Sequence, residues 1–135
     1  KKVKDIFRLS TVIETLDSES AAKKIANLNI NIKAIPRLFI QINLGNEIQK
    51  RGIAICETEN FLNMCREKYK LTISGAMAIP PISNAPEKYF QILRDLCVKN
   101  NLKEISMGMS DDYEKAIELG STNIRIGTIL FGKRN

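Results

Sequence analysis

Apolar positions recur along the chain in two alternating spacings, one near 3.6 residues and one near 2, and the alternation predicts helices and strands in turn. The opening Lys1-Lys2-Val3-Lys4-Asp5-Ile6-Phe7-Arg8-Leu9 is helix-spaced, with Val3, Ile6, Phe7 and Leu9 on one face, so the chain begins inside an element. A short strand from Thr11 to Glu14 leads to Leu16-Asp17-Ser18, where Asp17 or Ser18 caps a helix carrying Ala21, Ala22, Ile25 and Leu28. Asn29 to Pro36 reads as loop. Arg37-Leu38-Phe39-Ile40-Gln41-Ile42-Asn43 is the clearest strand, apolar and partly β-branched, with side-chain amides toward its C-terminal end. A polar loop from Leu44 to Gly52 follows, holding Glu47, Lys50 and Arg51. Thr58 is expected to cap a helix whose inner face carries Phe61, Leu62, Met64, Cys65 and Tyr69, and Leu71 to Ile79 is a buried strand closed by Pro80-Pro81. Pro86 or Glu87 opens the next helix, with Phe90, Leu93, Leu96, Cys97 and Val98 inward.

Two more strand-turn-helix units complete the chain. Strands near 11–14, 37–43, 71–77, 103–107 and 123–126, each followed by a helix, predict a parallel α/β sheet covered by helices. A doubly wound sheet and part of an eight-fold β/α barrel both satisfy that pattern, and in both a ligand sits at the strand C-termini. Asn43, Met77, Ser110 and Arg125 all fall there. No shift of composition divides residues 1–135 into two domains.

The last two units carry the most chemistry. Ser106-Met107-Gly108-Met109-Ser110-Asp111-Asp112 and Ile124-Arg125-Ile126-Gly127-Thr128-Ile129-Leu130-Phe131-Gly132 both read as an apolar strand ending in glycine and hydroxyl residues before a helix. A helix N-terminus offers free N–H groups and a partial positive charge to an anion. Ser110 can give a hydroxyl to a phosphate or cap a helix beginning near Asp111. Gly127 and Thr128 offer backbone N–H groups and a second hydroxyl, with Arg125 just upstream. The residues alone also allow a plain helix cap at Ser110 and a turn glycine at Gly127, because neither stretch is a full phosphate-loop fingerprint.

Composition narrows the classes. The chain has 135 residues, 44% of them hydrophobic, enough for one core. No run of about 18 apolar residues could span a bilayer, and no signal-peptide pattern is visible, which points to a cytoplasmic protein without a membrane partner. The net charge of +6 comes from 21 Lys and Arg interleaved with 15 acids, a solvated surface rather than a nucleic-acid groove. Cys56, Cys65 and Cys97 form no C-x-x-C pair and there is no histidine, so reduced thiols are expected and no metal site.

Phe39-Ile40-Gln41-Ile42-Asn43 with Lys50 and Gly52 after it, Gly75-Ala76-Met77-Ala78-Ile79-Pro80, Ser106 to Asp112, and Gly120-Ser121-Thr122 leading to Ile124 to Gly132 together resemble the pyridoxal phosphate homeostasis protein family, whose members are alanine-racemase-like barrels that bind pyridoxal 5'-phosphate (PLP). The resemblance runs in order over essentially the whole chain. It implies that Ser110 and the backbone at Gly127 and Thr128 hold the cofactor phosphate, that Arg125 faces the pyridine nitrogen, and that Met107, Met77 and Asn43 border the cofactor. It further implies a non-catalytic PLP carrier or regulator of vitamin B6 and amino-acid balance, with PLP-dependent apoenzymes as recipients.

The family's first three strands, including the lysine that forms the Schiff base, have no counterpart here. The chain therefore resembles the C-terminal five β/α units of a TIM-type (β/α)8 barrel, an incomplete PLP-binding barrel and a fragment. A PLP-dependent amino-acid racemase of the same barrel type is the alternative, but Tyr69, Tyr89 and Tyr113 are all placed on helices, away from the strand ends. Lys50 is expected to be a solvated loop lysine unless its amine points at the phosphate site.

Overall fold

The computed structural model describes residues 2–29, 36–82 and 85–132. The elements in order are α1 (Lys2–Leu9), β1 (Val12–Leu16), α2 (Glu19–Asn29), β2 (Arg37–Asn43), β3 (Ile53–Ala54), α3 (Thr58–Asn63), β4 (Ile73–Ala78), α4 (Glu87–Lys99), β5 (Glu104–Met109), α5 (Tyr113–Glu118), β6 (Asn123–Arg125) and α6 (Thr128–Phe131). The expected loop over 29–36 lies mostly outside the described residues.

All strand pairs are parallel, in the order β1-β2-β4-β5-β6, with β3 added beside the end of β2. Spatial order follows chain order without reversal, which rules out a doubly wound sheet, whose strand order turns back at a switch point. The sheet is part of a TIM-type barrel. The five expected strands are present, and β3 is an addition: Ile42 and Asn43 pair with Ile53 and Ala54. Gly52 makes this turn possible. Its φ is +126°, and a Cβ there would stand 2.7 Å from the Asn43 nitrogen.

Alternation along the strands sorts side chains between two faces. Leu16, Leu38, Ile40, Ile42, Ala76, Ala78, Ile105 and Met107 join the core beneath the helices with Phe7, Ala22, Ile25, Leu62, Cys65, Phe90, Leu93 and Cys97. Phe39, Gln41, Met77 and Ser106 alternate with them and face the inside of the curve. Arg37 and Glu104 form an ion pair on that inner face, at the N-terminal ends of β2 and β5.

Several helix expectations change. Among the described side chains of α1 Phe7 alone is buried, whereas Ile6 and Leu9 are exposed; the side chain of Val3 is outside the described set. Val98 is exposed too, one position past Cys97 on the outer side of α4. Thr58 is no cap: it is the first residue of α3, and its hydroxyl donates to the Ala54 carbonyl at 3.1 Å from a buried position. Ser18 does accept the Ala21 N–H, at 3.4 Å, so of the two candidate caps it is the one engaged. After α3 the chain continues as a π-turn over Met64–Lys68 that buries Cys65.

Candidate functional site

Inside the curve, register sets Gln41, Met77, Ser106 and Asn123 side by side on β2, β4, β5 and β6. Arg125 lies on the same face of β6, two residues beyond Asn123. Its Nη1 donates to Ser106 Oγ at 2.6 Å and its Nη2 to the Ala78 carbonyl at 2.9 Å, so the cation of β6 is tied to β5 and β4. Glu14 of β1 reaches the same place, with Oε2 2.7 Å from Ser106 Oγ and 3.9 Å from Arg125 Nη1, and Oε1 3.4 Å from Asn123 Nδ2. The first and last strands of the sheet therefore face each other across the interior. Burial lowers the Arg125 guanidinium from its ordinary value, while Glu14 and Asp112 pull it up. A guanidinium starts so high that it remains a cation.

The two strand-end turns meet at a second point. After β5, Gly108 takes φ +91°, and a Cβ there would fall 2.6 Å from the Ala116 Cβ, so the turn packs tightly on α5. Asp112 Oδ1 accepts the Met109 N–H at 2.7 Å, and α5 begins only at Tyr113. This leaves Ser110 in the turn rather than capping α5. Its Oγ instead accepts the Ile129 N–H of α6 at 3.4 Å, which brings together the turns after β5 and β6. The Gly127 carbonyl accepts the Leu130 and Phe131 N–H groups at 3.0 and 2.9 Å, while the N–H of Thr128, first in α6, has no intrahelical acceptor.

Gly127 has φ −127°, which any residue adopts, and a Cβ there would meet no atom of the described residues within 4 Å. Neither backbone strain nor packing among the described residues demands glycine, and the backbone is open to them on that side. Two hydroxyls, two backbone N–H groups and open space suit a phosphate dianion, whose oxygens are acceptors only.

The other expected residues are distributed differently. Met77 faces the interior and is buried. Met107 does not: it lies on the opposite face of β5, fully buried beneath the helices, and Ser106 holds the interior position. Asn43 is consumed by its own loop, its Nδ2 donating to the Glu47 and Lys50 carbonyls at 2.9 and 3.3 Å and its Oδ1 accepting the Glu47 N–H at 3.2 Å. The Lys50 ammonium pairs with Glu47 Oε1 at 2.6 Å and touches the Pro80 carbonyl at 3.4 Å, beside a 170 Å³ cleft lined by Gln41, Asn43 and Ile79. It is engaged by the loop, not aimed at Ser110. Glu14 was missed at the sequence level. A carboxylate between Ile13 and Thr15 in a half-buried strand was the available signal, since a charge there calls for a partner.

Tyr69 bonds Glu19 at 2.8 Å and Tyr113 bonds Glu114 at 3.3 Å, both outside the interior, and Tyr89 lies on α4. Among the described residues no His, Cys, Asp and Glu side chains converge as metal ligands, and no helix is long and apolar enough to cross a membrane.

The family model for the alanine racemase N-terminal domain matches residues 1–135. The pyridoxal phosphate homeostasis protein of Aquifex aeolicus is 34% identical over 98% of this chain and 62% of its own length. The human protein of that name is 36% identical over 92% of the chain and 50% of its own length. Among solved structures, PipY of Synechococcus elongatus without PLP superposes with a TM-score of 0.86 at 26% identity, covering 97% of this chain and 66% of PipY. PipY with PLP bound gives a TM-score of 0.81 over 97% of this chain and 65% of PipY. The chain thus spans between half and two thirds of the length of these relatives.

Proposed function

The chain belongs to the alanine racemase N-terminal domain family, and on that premise we propose that it is the phosphate-binding and ring-binding portion of a PLP-binding homeostasis protein, a carrier of the cofactor rather than a catalyst of turnover. One observation carries the reading: Ser110 Oγ meets the first turn of α6, so the hydroxyls and N–H groups of two separate strand ends converge beside an interior cation. The names of the curated relatives and the PLP-bound PipY structure support it.

In this reading Ser110, Thr128 and the Gly127 and Thr128 N–H groups hold the phosphate, Met77 lines the interior, and Arg125 stands at the ring nitrogen. When bound, PLP supplies an electrophilic aldehyde on an electron-withdrawing ring. Arg125 uses one N–H on Ser106 and one on Ala78, leaving donors to spare among its five. Such a group offers the ring nitrogen a hydrogen bond but no proton, which keeps electron withdrawal weak and disfavours carbanion chemistry. The engagement of Tyr69 and Tyr113 elsewhere supports carriage over racemisation. Apoenzymes that require the cofactor are the recipients this implies.

The test is titration of the purified chain with PLP, followed by its absorbance, with inorganic phosphate as competitor. Uptake that phosphate competes away, and that Ser110→Ala weakens, is expected; uptake indifferent to both would overturn the reading.

A further inference from the structure

Glu14 stands on the interior face of β1, where a charged side chain has to be accounted for. Its reach is across the barrel, not along the sheet: β1 pairs with β2, yet the carboxylate meets Ser106 on β5 and Asn123 on β6. The proton inventory then fixes every direction. A carboxylate only accepts, so Ser106 spends its single hydroxyl proton on Glu14, at 2.7 Å. That turns the Ser106 lone pairs toward Arg125, which can only donate, and does so at 2.6 Å. Arg125 to Ser106 to Glu14 is thus a one-way relay, in which each member polarises the next. The Ala78 carbonyl holds the other guanidinium nitrogen, and Asp112 is the remaining acidic group whose charge acts on Arg125.

We propose that Glu14 is a positioning residue for Arg125, orienting Ser106 as an acceptor and countering the guanidinium charge so that the arginine is held at one fixed place in the barrel interior. Toward a ligand, this makes Glu14 a determinant of how the site treats a ring nitrogen, a consequence that rests on the PLP reading above. The phosphate donors at Ser110, Gly127 and Thr128 are not in contact with Glu14, so phosphate binding does not depend on it.

Two measurements separate the positioning role from the cofactor reading. The first needs no ligand: nitrogen-15 NMR of the arginine-labelled full chain reads rotation and exchange of the Arg125 guanidinium. Slow rotation is expected in the parent, fast rotation in Glu14→Ala and in Ser106→Ala, and an intermediate rate in Glu14→Gln, whose amide oxygen still accepts from Ser106. The Gln variant keeps the test open should an alanine variant fail to fold. The second compares affinities for PLP, for its benzene-ring analogue lacking the ring nitrogen, and for inorganic phosphate. Glu14→Ala should weaken PLP about tenfold, the loss of one charge-assisted contact, while the analogue and phosphate stay within about twofold. An Arg125 signal indifferent to Glu14→Gln and Ser106→Ala, or equal losses for PLP and its analogue, would overturn the proposal. A parent chain that binds neither PLP nor phosphate, yet shows the guanidinium freed in Glu14→Ala, removes the cofactor reading and supports the positioning role.

Discussion

The hydroxyl oxygen of Ser110 accepts the backbone N–H of Ile129 at 3.4 Å, joining the turns after β5 and β6 into one surface. The bond is long and lies in an exposed place, so it contributes little to stability. Its consequence is that the Ser110 hydroxyl stands at the first turn of α6, which Thr128 begins.

Removing one phosphate donor should cost one charge-assisted hydrogen bond. Ser110→Ala and Thr128→Val are each expected to weaken PLP by about 1.5–3 kcal/mol, roughly 10- to 150-fold, with little change in melting temperature. Calorimetric titration of each variant checks this, and an unchanged affinity in both would remove these residues from the site.

PLP should be held reversibly by this chain. Lys50, the lysine nearest the end of β2, has its ammonium occupied by Glu47 and the Pro80 carbonyl. Absorbance before and after borohydride, with mass measurement of the chain, is expected to show cofactor removed by dialysis. Stoichiometric covalent fixation to one lysine would contradict this.

Gly108→Ala should be among the most damaging small substitutions. It puts a side chain at φ +91° and a Cβ within 2.6 Å of Ala116, which is fully buried. A loss of about 2–4 kcal/mol is expected in urea unfolding, against under about 0.5 kcal/mol for Gly127→Ala, where no described residue stands within 4 Å. Gly127→Ala should instead weaken phosphate binding.

The buried thiols should make the fold sensitive to alkali. Burial pushes Cys65 from 9.0 up to about 11 and Cys97 up to about 12. A thiol whose folded value lies above its unfolded one contributes its full share of stability below pH 9 and loses it as pH rises toward the folded value. Each should therefore cost about 1.4 kcal/mol per pH unit above pH 9. Urea unfolding at pH 8 and pH 10 reads the loss, and Cys97→Ala should remove about half of it, leaving the Cys65 share. Exposed Cys56 should react with a thiol reagent in the native protein, the other two only on unfolding.

Five of the six strands were legible because period-2 apolar runs and glycine-rich ends are local properties of the chain; their order was left open by the pattern, which a doubly wound sheet also satisfies, and came from the family resemblance. Arg37–Asn43 matches its expectation to the residue, and the others lie within a few positions. The convergence of Ser110 with the Gly127-Thr128 turn was likewise anticipated, through a resemblance carried by contiguous motifs. What local pattern could not decide was which neighbour each polar group finds. Ser106 rather than Met107 faces inward, because β5 pairs with β4 in the register Met77 to Ser106. Asn43 and Lys50 are spent on their own loop, and Thr58 serves Ala54 in place of a cap, because the chain folds back beside β2 through Gly52 and β3. Glu14 acquires its partners on β5 and β6 only when the sheet curls and its first and last strands come face to face. Sequence alone thus determined five strands, their parallel direction and the polar residues near their ends. Register and curvature decided the partners, because a side chain's face depends on pairing across strands and a contact between the first and last strands depends on how the sheet curls, neither of which is local in sequence.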